Sequence, residues 1–243
     1  MYKKDVYTIA ENTPIAEDIY RMRLLGDTRY LTKPGQFVNI ALEGFYLRRP
    51  ISVCDWQEGE MTLIYKVVGR GTEAMAAMTE GEKLDILTGL GNGFSTEKAA
   101  GRVAVVGGGV GVPPLYNLTK QLLAEGREVF CVLGFNTASQ VFYAKEFEAL
   151  GAKVFVTTAD GSMGTKGFVT EILKKEPYDY YFTCGPAPML KAVYDLGKEG
   201  QLSFEERMGC GFGACMGCSC ETLAGTKRIC VDGPVMESRE VRL

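Results

Sequence analysis

The cysteines near the end of the chain have a spacing that is typical of an iron–sulfur site. Five of the eight cysteines lie between residues 210 and 230, and four of them follow C-x4-C-x2-C-x11-C: Cys210, Cys215, Cys218 and Cys230. Three ligands on one loop and a distant fourth form the plant-type arrangement that holds a 2Fe-2S cluster through four thiolates. The spacing therefore predicts a 2Fe-2S site with these four residues as its ligands.

Glycines between the cysteines support this interpretation. They let the backbone wrap around a compact inorganic core, adopt φ values that most residues avoid, and point N–H groups at the sulfurs. They are Gly209, Gly211, Gly213 and Gly217. A second set of four exists, in which Cys220 replaces Cys210. The glycine-rich loop before Cys215 favours Cys210, which leaves Cys220 as a packed thiol.

Two other interpretations of the cysteines stay open. Structural zinc prefers two pairs of close ligands, whereas this segment offers one close trio and a single residue. Free buried thiols are the second alternative, and they are the expected state of the three cysteines in apolar strands, Cys54, Cys131 and Cys184. The chain contains no histidine, which excludes a Rieske-type cluster and histidine-based acid–base catalysis.

A glycine loop in the middle of the chain is typical of dinucleotide binding. In "VAVVGGGVGVPP" an apolar strand leads to Gly109, Gly111 and Pro114, which fit G-x-G-x-x-P, and a helical segment follows. The glycines let the backbone approach a diphosphate, and the helix N-terminus points at it. We expect this loop to bind NAD(H). The acidic residue that usually ends the second strand is missing from "GFNTAS", which leaves NADH and NADPH both open.

Two stretches of the first hundred residues could hold a second nucleotide. "LRRPISV" places an arginine and a hydroxyl close together on a strand, and "GRGTEAM" places Gly71 and Thr72 at the start of a helix. Such groups can bind a diphosphate and a ring. Alone they would be a surface arginine pair and a helix cap. The neighbouring nucleotide and cluster motifs favour the binding role.

The elements that must position these residues change in type near residue 99. Before it, short and often alternating apolar stretches between turn residues predict a small antiparallel barrel, with one helix in "GTEAMAAMTEG" capped by Thr72. After it, four apolar runs, each followed by a helical segment, predict a parallel α/β sheet with a nucleotide site at its carboxyl edge. We therefore divide the chain into residues 1–98, 99–203 and 204–243.

Composition and charge exclude several classes of protein. The 243 residues are 46% hydrophobic and 23% charged, with a net charge of -3 and no basic block, so a nucleic-acid partner is not expected. No apolar run reaches the ~18 residues of a membrane span, and no apolar stretch follows the N-terminal charges as in a signal peptide. We expect no membrane contact and a cytoplasmic location, where clustered cysteines indicate metal or redox chemistry.

With these motifs in this order, the chain resembles the ferredoxin reductase family over essentially its whole length. Within that family it is similar to the electron-transfer subunits of NAD-dependent dihydroorotate dehydrogenases. The resemblance implies an antiparallel FAD-binding β-barrel, a parallel α/β NAD-binding domain and a small C-terminal 2Fe-2S segment. The family's R-x-Y-S flavin motif appears here as Arg49-Pro50-Ile51-Ser52, with Ile51 where the family has tyrosine.

The same resemblance implies roles for individual residues. Arg49 would meet the FAD diphosphate, and Ser52 the flavin ring near N5. Cys184 and Gly185, in "TCGPAPML", would lie beside the nicotinamide. Ser52 and Cys184 are therefore the candidate catalytic residues. Further flavin contacts implied along the ring, ribose and diphosphate are Ile64, Tyr65, Lys66, Gly71 and Thr72.

Electron counting then indicates a function. Nicotinamides exchange two electrons as hydride, a 2Fe-2S centre accepts one, and a flavin can mediate between them. The chain offers no obvious site for an organic acid and no catalytic base. The resemblance implies a partner, the FMN-containing subunit that oxidises dihydroorotate in pyrimidine biosynthesis, with two copies of each subunit.

Three other functions stay open. The chain could be a self-sufficient NAD(P)H reductase for a diffusible electron carrier. It could be the small subunit of a bifurcating ferredoxin:NADP reductase, although the first ligand position there is acidic, unlike Cys210 here. It could also be a non-enzymatic zinc-binding interaction module.

Overall fold

The N-terminal part of the chain is a barrel. In the computed structural model, which describes residues 2–223 and 225–243, six antiparallel strands close in the order β1-β2-β5-β4-β3-β6. Alternating side chains point inward and form one apolar core, which includes Tyr7, Met22 and Ile40. The strands are β1 (Lys3–Ala16), β2 (Ile19–Leu25), β3 (Phe37–Ile40), β4 (Arg49–Gln57), β5 (Glu60–Lys66) and β6 (Lys83–Leu90).

One helix, α1 (Arg70–Ala76), joins β5 to β6 as expected. The prediction that Thr72 is its N-cap is wrong, because Gly69 holds that position. Thr72 is the third helical residue, and its hydroxyl accepts hydrogen bonds from the N–H groups of Val68 and Gly69 at 2.9 and 3.2 Å. This is the reciprocal part of a capping box, a role usually filled by glutamate or glutamine.

The middle of the chain alternates strands and helices, as the apolar runs predict. Strand pairs from β10 through β9, β8, β7 and β11 to β12 are all parallel. The strands are β7 (Arg102–Gly108), β8 (Glu128–Phe135), β9 (Lys153–Thr158), β10 (Thr165–Lys166), β11 (Tyr180–Cys184) and β12 (Glu199–Ser203). The helices are α2 (Pro114–Ala124), α3 (Ala144–Ala149), α4 (Thr170–Leu173) and α5 (Ala187–Tyr194).

Both faces of this sheet are covered. On β7, Val103 and Val105 contribute to one apolar core and Ala104 and Val106 to the other. Burial on both faces explains why these strands read as continuous apolar runs. The chain leaves β7 toward β8 on one side and returns to β11 on the other. Strand order thus reverses between β7 and β11, where α/β sheets bind ligands.

The cysteine segment packs between the barrel and the sheet. It contains a hairpin of β13 (Ser219–Thr222) and β14 (Gly225–Arg228), the short helix α6 (Ile229–Asp232), and β15 (Val235–Glu237). The last strand pairs with β12 in the antiparallel direction, so that seven strands of the described chain form one sheet. The predicted fold class is confirmed. The boundaries at residues 98 and 203 stay a prediction.

Candidate functional site

A cleft of about 730 Å³ lies where the barrel, the carboxyl edge of the sheet and the cysteine segment meet. The cysteine segment contributes Phe204, Glu205, Met208 and Pro234 to its wall. Of the residues predicted to bind nucleotides, the cleft brings together Pro50, Ser52, Lys66, Gly109, Gly111, Cys184 and Gly185. Residues far apart in sequence, from two predicted nucleotide sites, thus share one cavity.

The glycine loop after β7 forms one wall of the cleft. Gly109 has a φ of +51°, and a Cβ built there would meet no atom within 4 Å, so its backbone is open to a ligand. A Cβ on Gly111 would lie 2.2 Å from the carbonyl oxygen of Cys184. Only glycine allows the loop and the end of β11 to approach this closely. The two glycines fit a backbone-lined nucleotide site.

Cys184 ends β11 and presents a neutral thiol to the cleft. Burial, opposed by a hydrogen bond with Ser203 and assisted by the nearby Glu205 carboxylate, raises the pKa of this thiol to about 12. The thiol is therefore protonated at neutral pH and can act as a small polarisable contact, not as a nucleophile. Ser52 faces the same cleft from β4, where it pairs with Phe37 of β3.

The structure brings Arg49 and Gly71 together outside this cleft. The Arg49 guanidinium lies 4.8 Å from the centre of the Phe45 ring. A Cβ on Gly71 would lie 2.1 Å from Arg49 Nε, so the absence of a side chain at residue 71 makes room for the guanidinium. A guanidinium held near the N-terminus of a helix suits a diphosphate. The Thr72 hydroxyl is already used within residues 68–72.

Other predicted flavin contacts have buried side chains. Ile64 and Tyr65 are 3% and 2% exposed, and the Tyr65 hydroxyl donates a hydrogen bond to Asn12 Oδ1 at 2.9 Å. Ile51 packs against the barrel core. Any contact of Ile64 or Tyr65 with a ligand would therefore come from the backbone, whereas Lys66 lines the cleft.

The four predicted ligand cysteines form two pairs. Cys210 Sγ and Cys215 Sγ are 3.4 Å apart, and the Cys230 thiol hydrogen-bonds to Cys218. A 2Fe-2S cluster takes two protein ligands at each iron, so two pairs of thiols suit a two-iron group. The described residues contain no set of three or more histidine, cysteine or carboxylate side chains that could hold a single metal ion.

The loop around Cys210 favours the thiolate form that binds metal. Burial raises the pKa of the Cys210 thiol, but hydrogen bonds from the N–H groups of Phe212, Cys215 and Ala214 and from the Cys215 thiol lower it to about 6. The Cys215 N–H lies 3.4 Å from the sulfur. The glycines keep this loop close: a Cβ on Gly209 would lie 3.3 Å from Cys215 Sγ. The donor set therefore fits a cluster.

The remaining cysteines are packed. Cys54 and Cys131 are fully buried, and burial raises the pKa of both thiols. Cys220 lies on β13, half-buried against the core that contains Cys218 and Cys230. Its burial also raises the pKa of its thiol.

Sequence patterns missed three residues of the cleft. Phe168 is 71% exposed on its rim, and Thr157 presents a buried Oγ1 that has no hydrogen-bond partner in the described chain. Glu205 is half-buried, and burial raises the pKa of its carboxyl group. All three follow or end strands at the carboxyl edge, where topology and not a motif brings them into the site.

Comparisons with known proteins connect this geometry to a family. Residues 205–242 match the iron–sulfur cluster binding domain of dihydroorotate dehydrogenase B, and residues 105–195 match the oxidoreductase NAD-binding domain. A Fusobacterium nucleatum protein named dihydroorotate dehydrogenase B (NAD(+)), electron transfer subunit, is 42% identical over 97% of each chain. A protein of the same name from Geobacillus sp. is 44% identical over the whole of both chains. The chain belongs to this family of electron transfer subunits.

Solved structures agree with the fold of an electron transfer subunit of this kind. The NADH-dependent reduced ferredoxin-NADP oxidoreductase matches with a TM-score of 0.88 and 31% identity, over 97% of this chain and 89% of that chain. The FAD/NAD binding domain of a Vibrio cholerae nitric oxide dioxygenase matches with a TM-score of 0.66 and 19% identity, over 79% of this chain and 93% of that one. The second likeness concerns the fold alone.

The comparisons confirm the predicted kind of electron transfer subunit, an NAD-dependent flavin and iron–sulfur oxidoreductase. They support 2Fe-2S, NAD(H) and FAD as its cofactors. The alternative functions are not favoured. In the described chain, no helix combines the length and the apolar character needed to cross a membrane.

Proposed function

We propose that the chain transfers electrons between NAD⁺ and an FMN-containing subunit that oxidises dihydroorotate, through FAD and a 2Fe-2S cluster. The observation that carries the proposal is the shared cleft. It is lined by Ser52 of the flavin motif and Cys184 of the nucleotide domain, and by four residues before the first cluster ligand, Phe204, Glu205, Glu206 and Met208. FAD exchanges electrons singly or in pairs, which allows it to link hydride transfer to a one-electron centre.

Each part of the cleft has a task in this function. Gly109 and Gly111 offer open backbone to the diphosphate of NAD, and the exposed ring of Phe168 offers a stacking surface for adenine. Cys184 and Ser52 position the two rings between which hydride passes. Burial of the Cys184 thiol keeps it protonated, so that it adds no charge beside the nicotinamide.

Arg49 and Gly71 would hold the FAD diphosphate, with Lys66 at the cleft end of the same site. This assignment is supported by the close packing of the Arg49 guanidinium against Gly71 near the start of α1. Pro50 and Ser52 continue from Arg49 along β4 into the cleft. The strand therefore runs from the proposed diphosphate position to the proposed ring position. Backbone atoms of Ile51, Ile64 and Tyr65 would complete the flavin contacts, with Thr72 holding the turn before α1.

Cys210, Cys215, Cys218 and Cys230 would be the four cluster ligands, and the surface around them would receive the partner. Four apolar side chains are exposed near these cysteines, with Phe212 36% and Met216 64% exposed. The others are Leu223 and Val231, at 63% and 41%. Exposed apolar patches mark protein interfaces. We propose two copies of each subunit in the assembly. We also propose a cytoplasmic location, in keeping with the eight cysteines, which form no disulfide in the described chain.

Spectroscopy of the purified chain tests the cofactors. We expect bound flavin and 2Fe-2S absorption, both bleached by NADH in the absence of oxygen. Mixing with the dihydroorotate-oxidising subunit should give a stable complex that reduces NAD⁺ when dihydroorotate is added. A chain without flavin and iron refutes the cofactors. A chain that reduces a soluble carrier and ignores the subunit refutes the partner.

A further inference from the structure

A buried asparagine of the barrel holds the loop that carries the first cluster ligand. Asn39, on β3, donates a hydrogen bond from Nδ2 to the carbonyl oxygen of Cys210 at 3.0 Å. The two residues are 171 positions apart in sequence, and the Asn39 side chain is 1% exposed. The bond therefore joins the barrel directly to the ligand loop and is shielded from water.

The cost of this asparagine to the fold argues for a positional role. Its Oδ1 is buried and accepts no hydrogen bond from any described residue. A buried acceptor without a donor destabilises the folded state, and an apolar side chain of similar volume would avoid that cost. The presence of an amide at residue 39 is thus explained by the hydrogen bond from Nδ2 to the Cys210 carbonyl oxygen, and not by a contribution to the stability of the barrel core.

The loop that carries Cys210 also has a glycine where it contacts Asn39. Gly211, next to Cys210, has a φ of +78°, and a Cβ there would lie 2.4 Å from Asn39 Nδ2. A side chain at residue 211 would push the loop off the barrel. Glycine is therefore needed both for the backbone conformation and for the close approach.

Asn39 stands on the same face of the barrel as Pro50 and Ser52 of the flavin motif. In the register of β3 and β4, Asn39 pairs with Pro50 and Phe37 pairs with Ser52. Side chains alternate along a strand, so these four residues share one face. Val38 and Ile40 point the other way, into the barrel core. The ligand loop is thus attached one strand away from the residues proposed to hold the flavin.

The Arg48 guanidinium fixes the backbone at Asn39. Arg48 donates from Nη1 to the carbonyl oxygens of Asn39 and Asp85, both at 3.1 Å, and pairs through Nη2 with the Asp85 carboxylate at 2.6 Å. Since Asp85 lies on β6, the guanidinium ties β3 to its neighbour. The backbone that carries Asn39 is therefore fixed to β6 by the Arg48 guanidinium as well as by strand pairing.

At its other end the cysteine segment has a second, more exposed attachment. Asn92 donates from Nδ2 to the carbonyl oxygens of Asp232 and Val235 at 3.2 and 2.7 Å and accepts from the Val235 N–H at 3.1 Å. Asn39 and Asn92 both belong to the N-terminal barrel part of the chain, so the cysteine segment is attached to that part at two points.

We propose that Asn39 is a positioning residue for electron transfer, which fixes the Cys210 loop relative to the flavin motif on β4. The proposal rests on the proposed function. It adds that the barrel, and not the α/β sheet, sets the spacing between the flavin site and the first cluster ligand. Hydride transfer from NADH to the flavin does not require this spacing, whereas the following single-electron transfer does.

The test compares Asn39→Leu with Asn117→Leu in the cofactor-loaded chain. Asn117, on α2, also joins two parts of the molecule through its amide, which donates to Asp55 on β4, and neither residue belongs to the cysteine segment. Loss of one neutral hydrogen bond shifts a local opening equilibrium about fivefold. For Asn39→Leu we expect amides of residues 209–216 to exchange about fivefold faster. In stopped flow with NADH, flavin reduction should keep its rate and cluster reduction should slow.

Gly211→Ala is the second variant, because it breaks the same contact from the other side and leaves the barrel unaltered. The double variant should be no more impaired than the worse single one, since both remove one interaction. Trp56, the single tryptophan, reports by fluorescence that the barrel is folded. Unchanged exchange and cluster reduction in both variants overturn the proposal. A wild-type chain without flavin and iron overturns the proposed function instead.

Discussion

Replacing Gly111 by alanine should separate nucleotide chemistry from the rest of the electron path. The added Cβ would lie 2.2 Å from the carbonyl oxygen of Cys184 and 2.4 Å from its carbonyl carbon. Real Cβ contacts essentially never fall below 3.0 Å, so the glycine loop and the end of β11 must separate by about 0.8 Å. Both neighbours are backbone atoms, which cannot rotate away as a side chain would.

The size of the effect follows from that displacement. Gly111 and Cys184 are packed against each other and both line the proposed nicotinamide position, so the shift changes the distance and angle at which hydride is delivered. A misplacement of about 1 Å can cost ~10²-fold in rate. We therefore expect flavin reduction by NADH to slow about 10- to 100-fold, with flavin and iron contents unchanged.

Anaerobic stopped-flow absorbance provides the assay. Dithionite, which needs no nucleotide site, should reduce the flavin of Gly111→Ala as fast as that of the wild type. Gly59→Ala is the matched control, because Gly59 also sits in a turn, with a φ of +78°, but a Cβ there would meet nothing within 4 Å. It should lose some stability and keep its NADH rate. A Gly111→Ala rate within about threefold of the wild type would refute the reasoning, because misplacement on this scale predicts a larger loss.

Three further predictions concern the cysteines and the cleft rim. Cys210→Ser should abolish the visible 2Fe-2S bands while Cys220→Ser retains them; the reverse result would show that the ligand set is wrong. Phe168→Ala should raise KM for NADH several-fold with little change in kcat, because the exposed ring contacts a part of the nucleotide remote from the hydride. For Cys131, burial raises the thiol pKa from 9.0 to about 12, so its contribution to stability is complete below pH 9 and is lost as pH rises toward 12. Between pH 8 and 10, denaturant unfolding should show the wild type losing about 1 kcal/mol more than Cys131→Val.

Local patterns in the sequence were sufficient to predict the fold. The barrel strands alternate or end at glycine and proline turns, and Val103 to Val106 form the unbroken apolar run that a doubly covered strand requires. The cysteine spacing and the glycine loop are equally local. Each constrains a few neighbouring residues, so each can be read without knowing the rest of the structure.

What the sequence could not predict depends on contacts between distant segments. Nothing near Asn39 indicates that it meets Cys210, and nothing near Phe168 indicates that it reaches a nucleotide cleft. Thr72 was misassigned as an N-cap because a threonine can also serve at the third helical position when glycine precedes the helix. Strand β15 is only three residues long, too short to show an alternating pattern, and its pairing with the edge of β12 makes it a strand.

The place of β15 also links the cysteine segment to the protection of a sheet edge. In the described chain, β15 covers the outer edge of β12 and begins five residues after Cys230, so a change that loosens the cysteine segment also frees that edge. Unpaired strand edges are sites of association between chains. A chain in which the cysteine segment comes loose is therefore expected to associate with other chains as well as to lose the proposed electron path to the cluster.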